Sequence, residues 1–219
     1  MSTIAVTIES GFATVGAGRW LMAREQPAAY CGSAKQMRRK GWFVHDRSAL
    51  CLVELTAPAA ATPDVPAPEA WAKCASAARP FLTHIPCAAE LFAVSEKVLV
   101  APAEGWKDAK TLKPLPMSLR FAFSVTHFTA DWVVMATRSR TARLALAEGE
   151  TLSVRQEAAV AWTTPMPTGF CPKLSIMDVL LPRGPAMLGL TFYGPGIVWI
   201  EGAAERKREL PRRGAGYGV

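Results

Sequence analysis

The residues best suited to metal binding are one histidine and two cysteines. His84 and Cys87 flank an Ile-Pro pair, and Cys74 precedes them in the chain. Imidazole and thiolate are zinc ligands, but a structural zinc site takes four ligands and this spacing matches no standard zinc pair. Because Pro86 is more typical of a turn, we expect no metal site and no cofactor.

Acid–base chemistry would need a histidine beside a carboxylate. His127 lies close to Asp131 in the sequence, and His45 directly precedes Asp46. A catalytic triad also requires a nucleophile, and the sequence has no Gly-x-Ser-x-Gly nucleophile elbow. It also lacks a phosphate-binding Gly-x-x-x-x-Gly-Lys loop and a dinucleotide-binding fingerprint. The sequence therefore predicts no catalytic residues and a protein that is not an enzyme.

Basic residues form clusters that could bind an anionic partner. Trp42 and Phe43 adjoin the first cluster, and arginine beside aromatic rings can hold RNA by charge and stacking. The same combination can hold an anionic bilayer by charge and shallow insertion. A third interpretation is solvated loop charge without a partner. The clusters are Lys35, Arg38, Arg39 and Lys40; then Arg138, Arg140 and Arg143; then Arg206, Lys207, Arg208, Arg212 and Arg213.

The composition of the 219 residues is that of an ordinary globular protein, with 50% apolar and 20% charged residues. The formal net charge of +7 favours partners such as nucleic acid or acidic lipid headgroups, although an indifferent basic surface would have the same charge. Five scattered cysteines indicate reduced thiols rather than a disulfide framework. No apolar run approaches the ~20 residues of a spanning helix, and no targeting peptide is evident. We expect an intracellular protein without a transmembrane segment.

Short strand-like segments dominate the chain and favour a sandwich, a barrel or a β-helical prism. The strongest signal lies near the C-terminal end, where two apolar runs flank Gly194, Pro195 and Gly196. Glycine allows a positive φ and proline fixes φ, so these three residues predict the turn of a β-hairpin. A second hairpin turn is predicted at the Ala-Glu-Gly-Glu run that contains Gly149.

The segment from Ala57 to Ala70 cannot form a central strand, because its four prolines lack a backbone donor. We expect an exposed excursion there, followed by a short helix over Glu69 to Ala78. The tail from Ala203 is basic and contains three glycines, and we expect it to be solvated and mobile.

An internal repeat relates two parts of the chain. Residues 125–136 align with residues 190–201 without a gap, and a fainter third copy covers residues 1–56. Repeated apolar faces that cannot be buried alone should pack about a pseudo-symmetry axis. The aligned pairs include Thr126 with Thr191, Val133 with Val198 and, upstream, Val94 with Val154.

Two stretches also resemble a known family. Residues 146–162 contain a Glu-x-Leu-x-Val strand followed by Val-Ala-Trp, and residues 191–200 contain the Gly-Pro-Gly turn. These motifs resemble the altered-inheritance-of-mitochondria family number twenty-four, also described as tryptophan-RNA-binding-attenuator-like (TRAP-like). The sequence departs from the family pattern at Ala130 and Asp131, where the second repeat would have Pro-Gly.

The resemblance implies a TRAP-like double-stranded β-helix or β-prism built from three related repeats. It implies no catalytic residues. In eukaryotes it also implies an association with mitochondria and with the organisation of their inner membrane. We therefore expect a mitochondrial location if the source is a eukaryote and a cytoplasmic location if it is a bacterium.

We predict one all-β domain over residues 1–202, with pseudo-threefold internal repeats at 1–56, 80–137 and 142–202. The excursion would occupy residues 57–79 and the basic tail residues 203–219. The predicted function is that of a non-enzymatic structural or scaffold protein, peripheral to the mitochondrial inner membrane, and the alternative is an RNA-binding module. The expected partners are anionic lipid, membrane-organising proteins and a second copy of the chain, with RNA as the alternative.

Overall fold

The fold is built from antiparallel β-sheets. The computed structural model describes residues 6–23, 28–37, 50–57, 69–87, 90–104, 106–112, 123–165, 167–170 and 189–202. In these ranges the regular elements are strands and two short 3₁₀ turns, Ser95–Lys97 and Gln156–Ala158, with no α-helix. The predicted all-β fold class is therefore confirmed.

The described ranges contain nineteen strands in four sheets, which we number I to IV. The strands are β1 (Val6–Glu9), β2 (Phe12–Gly16), β3 (Gly18–Ala23), β4 (Ala29–Cys31), β5 (Ser33–Met37), β6 (Leu50–Thr56), β7 (Trp71–Cys74), β8 (Phe81–Pro86), β9 (Leu91–Val94), β10 (Val98–Pro102), β11 (Trp106–Leu112), β12 (Phe123–Phe128), β13 (Trp132–Thr137), β14 (Thr141–Leu146), β15 (Thr151–Arg155), β16 (Ala159–Trp162), β17 (Thr168–Phe170), β18 (Gly189–Tyr193) and β19 (Gly196–Glu201). Sheet I has the order β1-β2-β7-β4, sheet II β5-β6-β3-β10-β13-β8, sheet III β11-β12-β9-β16-β19-β14 and sheet IV β15-β18-β17.

Three hydrophobic clusters join the sheets in the order I, II, III, IV. Successive side chains of a strand point to opposite faces of its sheet. Trp20 of β3 therefore enters the cluster between sheets I and II, whereas Leu21 enters the cluster between sheets II and III. In the same way Ala93 and Val94 of β9 face opposite clusters. Sheets II and III are thus buried on both faces, which explains why strands such as β13 are apolar at nearly every position.

The second and third sequence repeats have the same strand pairing. Val94 pairs with Val125 in the β9–β12 ladder, and the aligned residues Val154 and Leu190 pair in the β15–β18 ladder. In each repeat a 3₁₀ turn then carries the chain to the next sheet. In the second repeat this turn, Ser95–Lys97, separates β9 from β10. Both repeats also have a register shift at the start of the strand that follows this turn. The aligned sequence positions therefore occupy corresponding places in the fold.

The predicted hairpin at Gly194, Pro195 and Gly196 is wrong in its pairing. A turn is present, but β18 pairs with β15 and β17 in sheet IV, while β19 pairs with β14 and β16 in sheet III. The turn therefore carries the chain from one sheet to the next. Glycine is required because a Cβ at Gly194 would collide with the carbonyl oxygen of Ala147 in the adjacent turn. Turn residues specify where the chain reverses direction. They do not specify which strands pair on either side of the turn.

The turn at Gly149 has the predicted backbone conformation, with a φ of 79°. Its flanking strands β14 and β15 also lie in different sheets, so the hairpin prediction is wrong here for the same reason. The two turns lie side by side, because the Gly194 amide donates to the Glu150 carbonyl oxygen at 2.9 Å. Both strands of the β14–β19 ladder therefore continue into adjacent turns at the same end of sheet III.

The predicted helix over Glu69 to Ala78 is also wrong. Residues Trp71–Cys74 form β7, which pairs with β2 on one side and β4 on the other. Ala72 and Cys74 are buried while Lys73 is exposed, which is the period-two pattern of a strand. Within the 57–79 excursion, Trp71–Cys74 thus belong to sheet I, and residues 58–68 lie outside the described residues.

Candidate functional site

The structure places one member of the first basic cluster, Lys35, away from the second cluster. Lys35 is exposed on β5, at one edge of sheet II, and Arg38, Arg39 and Lys40 lie outside the described residues. Strands β6, β3 and β10 lie between β5 and β13, so the two strands are about 19 Å apart at the usual strand spacing. Arg138 directly follows β13. Lys35 and the second cluster therefore do not form one surface patch.

The second cluster does lie together, at one end of sheets II and III. Arg138 and Arg140 are exposed in the connection between β13 and β14, and Arg143 is exposed on β14, an edge strand of sheet III. Phe81 pairs with Thr137, which brings the start of β8 beside this connection. We call Arg79, Phe81, Arg138 and Arg140 the basic end.

Hydrogen bonds fix the connection that carries the two arginines. The Thr137 hydroxyl donates to the carbonyl oxygens of Ser139 at 2.7 Å and Phe81 at 3.2 Å. The Ser139 hydroxyl donates to the Gly202 carbonyl oxygen at 2.6 Å, and the Gly202 amide donates to Arg140 at 3.2 Å. The basic end is therefore attached to the end of β19, the last described strand.

A buried ion pair lies behind this surface. Lys97 is 6% exposed, and its ammonium group donates to Glu201 Oε1 at 2.7 Å, to the Ala159 carbonyl oxygen at 2.9 Å and to the Glu157 carbonyl oxygen. The other carboxylate oxygen of Glu201 accepts from the Arg138 amide at 2.9 Å. Each ammonium proton thus has an acceptor, and the pair ties together the two 3₁₀ turns and the basic end.

The pKa of Lys97 is lowered from its ordinary value of 10.5. Burial is the largest cause, because it disfavours the charged form. Glu201 opposes this shift, while the positive charges of Arg79 and Arg138 add to it. Arg138 is close to Lys97 because both bond to Glu201, and Arg79 forms an ion pair at 3.8 Å with Glu96, the residue before Lys97. With its donors engaged, Lys97 has the surroundings of a structural group that positions Glu201 and, through it, Arg138.

The sequence adds further positive charge where the described chain ends. Gly202 is held beside Ser139 and Arg140, and the next residues of the chain are those of the basic tail. The tail itself lies outside the described residues. In the sequence this tail contains five cations, Arg206, Lys207, Arg208, Arg212 and Arg213.

Phe81 adds an apolar group to this surface. Its side chain is 41% exposed, and it is one of the large hydrophobic side chains that the described residues present to solvent. The exposed group and the neighbouring guanidinium groups form a combination that can contact both an apolar layer and a layer of negative charge. The arrangement is suited to binding.

The histidines that were candidates for acid–base chemistry or metal binding lie in two different environments where the structure describes them. His127 is buried and stacks on Phe92 with ring centroids 4.6 Å apart, and its Nε2 lies 3.5 Å from a carboxylate oxygen of Glu90. His84 is exposed beside Trp132. Within the described ranges, no three His, Cys, Asp or Glu side chains converge as metal ligands. His45 and Asp46 lie outside those ranges.

An open groove lies at the other end of β10, away from Lys97. Its volume is about 480 Å³, and its polar side chains include Arg19, Glu54 and Glu104. Arg19 and Glu54 form an ion pair on its wall, with Nε and Oε1 3.3 Å apart. In the groove the charges of Arg19 and Glu54 cancel, and Glu104 adds one negative charge. The basic end, in contrast, has an excess of positive charge.

Sequence reasoning did not identify Arg79, Phe81, Lys97 or Glu201. The first two precede or begin a strand whose partner, β13, is more than fifty residues away. Lys97 follows Ser95 and Glu96 between two apolar runs, a pattern that favours an exposed turn, so nothing in the sequence marks Lys97 or Glu201 as part of a buried pair.

Comparisons with known proteins show similarity in fold. No family model matches the sequence, and no curated protein matches it. The structure is similar to the crystal structure of protein SPYM3_0169 from Streptococcus pyogenes, with a TM-score of 0.62 and 10% sequence identity over 91% of this chain and 93% of that chain. This similarity supports the all-β fold. In the described residues, no helix has the length and apolar character needed to cross a membrane.

Proposed function

We propose that the protein is a non-enzymatic scaffold that attaches to the surface of an anionic lipid bilayer through its basic end. The observation that carries this proposal is that the exposed Arg138 and Arg140 share one connection, which is bonded to Gly202 and begins beside Thr137, the ladder partner of the exposed Phe81. Cations near an anionic bilayer each contribute about 1 kcal/mol, and an exposed aromatic ring can enter the interface.

The chemistry of the basic end favours binding over catalysis. A guanidinium group carries hydrogen-bond donors and no acceptor, so Arg138 and Arg140 are suited to holding anions such as phosphate and carboxylate groups. The ammonium protons of Lys97, which lies behind this surface, are engaged by Glu201 and two carbonyl oxygens. These surroundings support a role in which the protein holds a partner without transforming it.

The identity of the membrane is a narrower proposal that rests on the resemblance to the mitochondrial family. In a eukaryotic cell the bilayer would be the mitochondrial inner membrane, and the partners would include membrane-organising proteins. A homo-oligomer is also proposed, because β14 is an edge strand of sheet III among the described strands, and edge strands can pair with a second copy. RNA binding stays the alternative for the same basic surface.

A vesicle co-sedimentation experiment tests the proposal. We expect the full chain to bind vesicles that contain cardiolipin and to release them as salt is added, because added ions screen the attraction. The double variant Arg138→Gln/Arg140→Gln should lose about 2 kcal/mol, or about thirtyfold in partitioning. The matched control is Lys35→Gln/Lys73→Gln, which removes two exposed cations elsewhere and should bind like the wild type.

Three outcomes would overturn the proposal. The first is equal binding to neutral and anionic vesicles. The second is an equal loss in the two double variants, which would mean that net charge alone decides binding. The third is salt-sensitive retention of RNA without any retention of vesicles, which would favour the RNA-binding alternative.

A further inference from the structure

Strand β14 is a regular edge strand among the described strands of sheet III. Its ladder with β19 runs over the whole strand without a register shift, whereas β11, at the opposite edge, has a shift in its pairing with β12. Natural proteins usually blunt an edge strand with a proline, a bulge or a short length. β14 contains no proline and no fully buried residue. A regular, exposed edge of this kind can accept one further strand.

The ladder identifies which backbone groups of β14 face outward. The Gly202 amide donates to the Arg140 carbonyl oxygen at 3.2 Å, so Arg140 is bonded on the β19 side. In an antiparallel ladder the bonded residues alternate along the strand. Every second residue after Arg140 is therefore also bonded to β19. The residues between them, which include Arg143 and Ala145, direct their N–H and C=O groups away from β19.

The two ends of β14 carry opposite charges. Arg138 and Arg140 are exposed before the strand, and Glu148 and Glu150 are exposed after it. A second copy that pairs with β14 in the antiparallel sense would therefore bring the arginines of each copy beside the carboxylates of the other. Opposite charges across an interface favour the matching partner and fix the register. The order of charges along the chain thus favours a second copy as the partner of this edge.

A two-fold axis at Leu144 satisfies both pairs of charges. Such an axis places each residue opposite the one that is equally far from Leu144 on its other side. Arg140 lies four residues before Leu144 and Glu148 lies four residues after it, so these two would be opposite each other. In the same way Arg138, six residues before the axis, would be opposite Glu150, six residues after it.

The same register suits the strand itself. Arg143 would lie opposite Ala145, and because both direct their backbone groups outward, each such pair can exchange two hydrogen bonds. The two half-buried Leu144 side chains would pack against each other at the axis. An axis at Arg143 would instead place two guanidinium groups directly opposite each other, which is destabilising.

We propose that two copies of the chain form a two-fold dimer in which sheet III continues from β14 of one copy into β14 of the other. This inference rests on the homo-oligomer of the proposed function and specifies its strand, its register and its ion pairs. In the dimer Arg138 and Arg140 face carboxylates of the second copy. Attachment to an anionic bilayer through the same arginines therefore competes with dimerisation.

Sedimentation equilibrium of the full chain without lipid tests the dimer. We expect a monomer–dimer equilibrium whose dissociation constant rises with salt, because the ion pairs are exposed. Glu148→Lys should weaken dimerisation at least about tenfold, because each dimer contains the reversed pair twice. The charge swap Arg140→Glu/Glu148→Lys makes the pair attractive again and should restore the dissociation constant of the wild type. The matched control is Glu104→Lys, which makes the same change of charge at an exposed residue of the groove and should dimerise like the wild type.

Ala145→Pro tests the backbone pairing. Proline removes the outward N–H of this residue and leaves the bonds between β14 and β19 in place, so the variant should be a folded monomer by circular dichroism and sedimentation. A wild-type chain that stays monomeric at low salt, wild-type affinity in Ala145→Pro, or a folded charge swap that does not recover affinity would overturn the dimer. Because these measurements contain no lipid, a dimer that binds no vesicles would remove only the bilayer proposal, and a monomer that binds them would remove only the dimer.

Discussion

Lys97 and Arg138 lie at the same end of the molecule and carry the same charge, but their surroundings are opposite. Lys97 is buried and gives its ammonium protons to Glu201 and two carbonyl oxygens. The Arg138 residue is exposed, and the contact that fixes it is made by its backbone amide. The buried cation therefore holds the fold in place, while the exposed guanidinium group is left available for a partner.

This difference shows how one end of a β fold can be held in place by a buried ion pair and still present exposed cations to a partner. Glu201 accepts from the Lys97 side chain with one oxygen and from the Arg138 backbone with the other. The ion pair thus positions the arginine without using its charge. Substitutions of Lys97 should change stability, and substitutions of the exposed residues should change binding.

The largest effect is expected for Lys97→Met. Methionine can fill the space of the aliphatic chain but leaves the buried Glu201 carboxylate without its partner, which typically costs about 3–5 kcal/mol. Urea unfolding followed by circular dichroism measures this loss. The control is the double variant Lys97→Met/Glu201→Leu, which removes both charges and should recover most of the stability. A loss below about 1 kcal/mol in the single variant would show that the pair is solvated and weak.

The strands and several buried residues of this fold could be predicted from the sequence. Trp20, Trp132, Trp162 and Trp199 are buried, which is the usual environment of tryptophan in a β-rich protein. The conformation at Gly149 followed from the need for a positive φ in a tight turn. These predictions succeed because they depend on residues that are neighbours in the chain.

The pairing of the strands could not be predicted in the same way. β18 and β19 are separated by two residues, yet each pairs with strands far away in the sequence. The burial of Lys97 depends on Glu201, which is 104 residues away. The separation of Lys35 from Arg138 depends on three intervening strands. Local patterns carry no information about such distances.

A smaller effect is expected for Phe81→Ser, and it should appear in vesicle binding. The side chain is 41% exposed, so its loss removes apolar area that could enter a bilayer, worth about 1 kcal/mol or about fivefold in partitioning. Stability should change little, because the Thr137 hydroxyl bonds to the backbone of Phe81. The matched control is Tyr30→Ser on β4, where the ring is 53% exposed and far from the basic end in the sheet order. Equal vesicle binding by wild type and Phe81→Ser would show that charge alone attaches the protein.

The smallest effect is the pH dependence that Lys97 adds to stability. Because burial lowers its pKa in the folded state, the unfolded chain binds this proton more tightly than the native protein. The contribution of Lys97 to the free energy of unfolding should therefore rise with pH between the lowered pKa and the ordinary value of 10.5, and fall as pH is lowered through that window. Urea unfolding over the alkaline range measures the slope. Lys97→Met should lack this component, while Arg138→Gln should keep it, because that substitution leaves Lys97 buried and bonded to Glu201. If the free energy of unfolding changed with pH equally in wild type and Lys97→Met, the pKa of the Lys97 ammonium would be the same in the folded and unfolded states. The contrast between Lys97 and Arg138 would then lie in their contacts alone.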